Sequence, residues 1–110
     1  MIALTFLGAG YVTVALTGLS TVVADSDVFS CELGGGKALL DLRTSTYYSL
    51  NTVGAFVWTR LQAPATLESI RDAVINEFEV EPERCIADLK ALVNQFADAG
   101  IVRVDHALPN

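Results

Sequence analysis

The spacing of hydrophobic residues changes along the chain. Val12, Val14 and Leu16 alternate with small or polar residues, a period of two that is typical of a β-strand. Similar short alternating runs continue as far as Leu50, after which hydrophobic residues recur at helical spacing. The pattern therefore predicts strands in the first half of the chain and helices in the second.

Three strands are predicted after the uncharged beginning of the chain. Val28–Leu33 alternates, and Gly34–Gly36 supplies the positive φ that a tight hairpin needs. Lys37–Leu42 is the returning strand, and the polar turn Arg43–Ser45 leads to Thr46–Leu50, which is rich in aromatic and hydroxyl residues. These runs predict a three-stranded antiparallel meander.

Three helices are predicted after the strands. Asn51 is a suitable N-cap for the first, which ends at Ala63–Pro64, and Thr66 is a suitable N-cap for the second. Pro82 suits the first turn of the third helix, and Gly100 suits its end. The sequence thus predicts three strands followed by three helices.

The order of these elements predicts an α+β fold of the winged helix-turn-helix type, in which helices joined by tight turns lie beside a small antiparallel sheet. Ile101–Val104 adds a terminal strand or a packed extension. The charge pattern divides the chain into an uncharged apolar segment at 1–24, interpreted as an extra strand, the folded domain at 25–104 and a tail at 105–110.

The uncharged segment has several interpretations. It is long enough to cross a bilayer, but threonine and glycine dilute it and no basic residue flanks it. A strand, or a start codon assigned too early, is favoured over a membrane span or a signal peptide. As a strand, it would pair with the sheet within one chain or across a homodimer.

Composition narrows the candidate chemistry. The chain has 110 residues, a net charge of −6 and 52% hydrophobic residues, so it is a single domain with an acidic surface. Its mean hydropathy of +0.44 indicates apolar surface that a partner covers. Cys31, Cys85 and His106 are too few and too scattered for a zinc site, and the cysteines are expected to be free thiols in a reducing cytoplasm. No catalytic residue, metal or cofactor is predicted.

DNA binding is one function that the predicted architecture allows. A recognition helix needs basic or amide side chains at its exposed beginning, whereas the third helix begins with Glu81, Pro82, Glu83 and Arg84. Eight acidic and three basic residues lie between positions 66 and 99. This charge would repel a nucleic acid duplex, so a DNA-binding regulator is the second choice.

Peptide binding is the other function. If Thr46–Leu50 lies at a sheet edge beside the third helix, its backbone can accept an added strand. An equally good interpretation is that Tyr47 and Tyr48 only pack the sheet against the helices. The spacing of the residues does not decide between the two.

A resemblance to a known family favours peptide binding. Leu39–Trp58, with its Leu-Leu-Asp, Tyr-Tyr-Ser-Leu-Asn and Gly-Ala-Phe-Val-Trp motifs, is followed by the acidic turn Phe78–Glu83 and by Ala99–Val102 at the end of the third helix. These motifs resemble, in order, those of the PqqD-like family, the recognition elements for precursors of ribosomally made, modified peptides. The resemblance covers about Val28–Val104, and residues 1–24 have no counterpart in it.

The resemblance implies a noncatalytic, cytoplasmic protein. Such proteins bind the leader of a precursor peptide as an added strand and present it to a modifying enzyme, such as a radical-enzyme cyclase or a leader protease. No nucleic acid or membrane partner is implied. The residues at the corresponding positions are Thr46, Tyr47, Tyr48, Ser49 and Leu50 on the strand, and Arg84, Cys85, Asp88 and Leu92 on the third helix.

Overall fold

The computed structural model describes residues 16–105 and the backbone of a short strand before them. The strands are β1 (Leu4–Thr5), β2 (Thr21–Ala24), β3 (Val28–Leu33), β4 (Gly36–Asp41), β5 (Thr46–Leu50), β6 (Ala65–Thr66) and β7 (Val102–Asp105). The helices are α1 (Thr52–Arg60), α2 (Leu67–Glu77) and α3 (Pro82–Asp98). The predicted α+β class, a three-stranded antiparallel sheet followed by helices, is confirmed, and winged helix-turn-helix describes it only loosely.

The predicted meander forms the larger sheet, whose strand order is β1-β5-β4-β3. Gly34 and Gly35 have φ values of +56° and +89°, so they form the left-handed hairpin turn between β3 and β4. Beyond the meander, β1 pairs antiparallel with β5. The hairpin could be predicted because consecutive glycines favour a turn with positive φ. The strand β1 could not, because two residues are too few to show a periodic pattern.

A second sheet, which the sequence analysis did not predict, has the order β6-β2-β7. Its central strand, Thr21–Ala24, lies before the predicted domain boundary at Asp25, yet Val22 is fully buried. The structure therefore places β2 inside the folded domain. The charge pattern missed this because a buried central strand needs no charged residues. Of the residues expected to alternate in an earlier strand, Val12 and Val14 lie outside the described part of the chain, as does the tail after Asp105.

The predicted helix caps are present. The Asn51 side chain accepts a hydrogen bond from the Gly54 N–H at 2.8 Å, and Thr66 caps α2 in the same way. Pro82 begins α3, and Gly100 follows it with a φ of +74°. The first helix ends at Arg60, earlier than predicted. Among the described helices, none is both long and apolar enough to cross a membrane.

The core lies between the larger sheet and the helices. Helix α1 contacts β4 and β5, α2 packs on α3, and α3 contacts β7. Trp58 and Phe96 are buried and meet edge to face, with ring centroids 5.5 Å apart. Leu39 and Leu50 complete this core from the sheet side. The side chains on one face of β5 are thus packed in the core. The backbone edge of β5 that is opposite the β4 pairing points away from β4.

Candidate functional site

Strand β5 alternates between the core and the surface. Tyr48 and Leu50 are buried, whereas Tyr47 is 71% exposed and Ser49 is exposed. On one side β5 pairs with β4 over its whole length. On the other side, the described β1 pairs only with Ser49 and Leu50, so Thr46 and Tyr47 extend beyond it. In the described part of the chain β5 therefore lies between β4 and β1, and the edge predicted for it is left without a described partner strand beside Thr46 and Tyr47.

An apolar row crosses the outer face of the larger sheet. Phe29, Leu40 and Tyr47 lie opposite one another on β3, β4 and β5, and Phe29 is 57% exposed. They line a shallow depression of about 240 Å³ with Cys31. This face and the backbone edge of β5 meet at Tyr47.

A cavity of about 320 Å³ lies beside the first half of α3. Its apolar lining comes from Val53 on α1, Val74 on α2 and Val80 in the loop before α3. Val53 is three residues after Leu50, so the cavity lies within about 10 Å of chain from the end of β5. One lining residue of the cavity, Val53, therefore lies close to the end of β5.

Charged residues surround this apolar lining. Glu79, Glu81 and Asp88 supply three carboxylates, and Arg84 supplies one guanidinium. The Arg84 Nε lies 3.8 Å from the Asp88 carboxylate, and both side chains are partly exposed, so this pair stabilises the fold little. The cavity thus combines an apolar lining with an acidic rim. Such a surface suits a segment that carries both apolar and basic side chains.

The predicted residues of α3 separate into two groups. Arg84, Cys85 and Asp88 all line the cavity, whereas Leu92 is 2% exposed and belongs to the core. Burial raises the pKa of the Cys85 thiol, and the charge of Asp88 adds to this effect, so Cys85 is a neutral packing group. The family resemblance placed Leu92 on the same flank of α3, but its side chain is packed in the core.

Five lining residues were not predicted as site residues from the sequence: Val53, Val74, Glu79, Val80 and Glu81. Val74 on α2 is buried and also contacts the cavity. The acidic turn before Pro82 was the one available signal, since it combined charges with a valine next to a helix start.

A buried carboxylate holds the turn that leads into β5. The side chain of Asp41 is almost fully buried and accepts hydrogen bonds from Arg43, from Nε at 3.0 Å and from the backbone N–H at 3.0 Å. The side-chain bond from Arg43 is the main cause that lowers the pKa of Asp41. Arg43 also donates to the Asp25 carboxylate at 3.1 Å and to the Gly100 carbonyl at 2.7 Å. One guanidinium therefore joins the β4–β5 turn to the loop before β3 and to the end of α3.

Comparisons with known proteins agree with this geometry. A solved structure described as TbiB1 in complex with the TbiA(beta) leader peptide is 27% identical, with a TM-score of 0.69 over 78% of this chain and 99% of that chain. A lasso peptide synthetase B1 complexed with the leader peptide is 24% identical and shares the fold, with a TM-score of 0.66 over 74% of this chain and 96% of that chain. Among curated proteins, none matches the sequence significantly. Residues 36–102 match the family described as coenzyme PQQ synthesis protein D (PqqD), and since this match covers more than half of the chain, the protein belongs to the PqqD family.

Proposed function

We propose that this protein binds the leader segment of a ribosomally synthesised precursor peptide by strand addition to β5. The observation that carries the proposal is the cavity beside α3, whose lining residue Val53 follows the end of β5 by three residues, in a fold whose solved relative TbiB1 was captured with a leader peptide. The family of the chain supports the same function.

The backbone of β5 supplies the affinity in this proposal. Backbone N–H and C=O groups of an edge strand pair with any extended peptide, so the ladder itself carries little sequence selectivity. Tyr48 and Leu50 hold the strand against the core through their buried side chains. Tyr47 and Ser49 stand beside the incoming peptide on the outer face, and Thr46 begins the edge.

The cavity supplies the selectivity. A leader residue that leaves the β5 edge near Leu50 reaches the apolar lining at Val53. The acidic rim favours a basic leader residue next to the apolar residue in the cavity, because it carries the carboxylates of Glu79, Glu81 and Asp88. Arg84 lies beside Asp88 and helps to hold its carboxylate in place. We therefore expect the docking part of the leader to combine an apolar anchor with at least one lysine or arginine.

The proposed role is noncatalytic. The peptide is held and presented to a separate enzyme, such as a radical-enzyme cyclase or a leader protease. The proposal places the protein in the cytoplasm, where precursor peptides are made, and it leaves the exposed row at Phe29, Leu40 and Tyr47 as a face for a partner or for a homodimer. The DNA-binding alternative has no support from the family or from the solved relatives.

The test uses a synthetic leader of the precursor encoded beside the gene for this chain. A scan in which single backbone amides of the leader are N-methylated removes one donor at a time, as proline does. Because donors towards a neighbouring strand alternate along a peptide, strand addition predicts that affinity falls at every second position of the docking segment. Isothermal titration measures the affinity, and a scrambled leader is the control.

Two results would contradict the proposal in different ways. If the leader does not bind, leader recognition is refuted. If it binds and tolerates N-methylation throughout, the function stands and strand addition is wrong. A salt-sensitive shift of duplex DNA would instead support the regulator.

A matched pair of protein variants tests the cavity. Asp88 lines it, whereas Asp72 on α2 lies outside it, and each aspartate is near an arginine. Asp88→Asn should weaken leader binding about two- to fivefold, the effect of one partly exposed charge pair. Asp72→Asn should weaken it less, because the charge of Asp72 acts on the cavity-lining Cys85 less strongly than that of Asp88. Equal effects of the two variants would place the leader elsewhere.

A further inference from the structure

We propose that the chain carries its own competitor for the β5 edge, the strand β1. This inference rests on the proposed function, because it assumes that the leader takes this edge. Strand β4 occupies one side of β5 along its whole length. The other side has room for a single strand, and β1 is paired there with Leu4 opposite Leu50 and Thr5 opposite Ser49. The leader and β1 therefore exclude each other at Ser49 and Leu50.

The position of β1 makes the competition effective. It covers the end of β5 that lies nearest the cavity, because Asn51 and α1 follow Leu50 directly. A leader that uses both the strand edge and the cavity has to pass this point. Binding to Thr46 and Tyr47 alone would leave the cavity unreached.

The short length of β1 makes the competition reversible. The described strand β1 has two residues, which is shorter than the roughly 3–10 residues of most strands in globular proteins. Thr5 is nevertheless joined by the chain to Thr21 in β2, so its effective concentration at the edge is on the order of millimolar. A leader that pairs with all five residues of β5 and fills the cavity binds more strongly than β1 and displaces it. A strand without a matching sequence has little advantage in affinity over β1 and does not displace it.

The composition of the competitor differs from that of the proposed ligand. Residues 1–24 contain no Asp, Glu, Lys, Arg or His and are uncharged at neutral pH in their side chains. Pairing of β1 with β5 is therefore insensitive to salt, whereas a basic leader on the acidic rim of the cavity is weakened by salt.

The test compares two variants of the full chain. Leu4→Pro/Thr5→Pro removes both backbone donors of β1, and Leu4→Val/Thr5→Val keeps them. In the free protein, NMR hydrogen exchange of the β5 amide at Ser49 or Leu50 that faces β1 should become faster in the proline variant only, while the amides that face β4 stay protected. Leader affinity should rise roughly three- to tenfold in the proline variant. In this variant β1 no longer pairs with β5, so a larger fraction of the protein has a free β5 edge for the leader. A peptide of residues 1–8 with a lysine tail, added to the proline variant, should restore the protection.

Each outcome decides between the two proposals. Unchanged exchange in the proline variant overturns the inference, whatever the leader does. Faster exchange with unchanged leader affinity also overturns it, because the leader then binds away from the β1 position. Failure of the leader to bind any variant refutes the proposed function and the competition with it, and the exchange data still report the pairing of β1. Faster exchange with tighter leader binding supports the inference.

Discussion

Gly34 and Gly36 lie two residues apart in one hairpin, yet alanine should affect them for different physical reasons. A Cβ at Gly36 would overlap the carbonyl oxygen of Leu50 and lie 3.1 Å from its carbonyl carbon. These are backbone atoms at the end of β5, so no rotamer change relieves the overlap. A Cβ at Gly34 meets no atom within 4 Å, but the φ of +56° is unfavourable for an L-residue.

The expected costs follow from these two situations. Gly34→Ala should cost about 1 kcal/mol, the penalty of the left-handed conformation. Gly36→Ala should cost about 3 kcal/mol, the upper end of overpacking, because backbone has to move. Both variants gain a similar entropic benefit in the unfolded chain, so the difference of about 2 kcal/mol remains. This is a large part of the stability of about 5–15 kcal/mol that is typical of native domains.

Urea denaturation followed by fluorescence measures this difference, since Trp58 is the only tryptophan and is buried. At a slope of about 1.3 kcal/mol per molar urea, the midpoints of the two variants should differ by roughly 1.5 M. Gly36→Ala should also lower the leader affinity of the fraction of the protein that is folded, because the backbone atoms that it displaces belong to β5. Equal midpoints for the two variants would refute the reasoning from the Leu50 contact.

Two further predictions concern the elements on either side of β5. Asn51→Ala removes the acceptor for the Gly54 N–H and should cost about 1 kcal/mol in the free energy of unfolding, while Asn51→Asp should retain most of the cap; an Ala variant as stable as the Asp variant would contradict this. Since Arg43 lowers the pKa of Asp41 in the folded state, the carboxylate stabilises the fold above the pKa of about 3.9 of an unfolded aspartate, and this stability is lost as the pH falls through the folded pKa. Asp41→Asn should therefore be less stable at pH 7 and lose less stability between pH 4 and pH 2, as measured by urea denaturation at each pH; parallel losses in both proteins would exclude Asp41 as a contributor.

Local signals predicted the parts of the fold that depend on local chemistry. Gly34 and Gly35 indicated a turn that few other residues form, and Asn51, Thr66 and Pro82 marked helix starts that the structure retains. At the helix starts, the side chain accepts a hydrogen bond from a free backbone N–H, as at Asn51 and Thr66, or the residue has no N–H that needs a partner, as at Pro82. A single sequence position is then enough to predict where the helix begins.

Long-range pairing was harder to predict. The second sheet depends on Val22 meeting Val104 and Ala65, three positions far apart in the chain with no turn between them to fix the register. The cavity beside α3 likewise combines residues of α1, α2 and the following loop, so only its α3 residues were foreseen. Leu92 shows the limit of a family resemblance, which gives the position of a residue on a helix and not what covers its side chain.

The Arg43 contacts affect the entropy of peptide binding. By holding the β4–β5 turn to the loop before β3 and to the end of α3, they fix the entry to β5 before any ligand arrives. Ordering a backbone costs about 1–2 kcal/mol per residue, so a strand that is already in place spares the complex that loss on the protein side. The docking surface proposed above is thus preorganised at the Thr46 end, and if a peptide binds there the entropy lost on association is mainly that of the peptide.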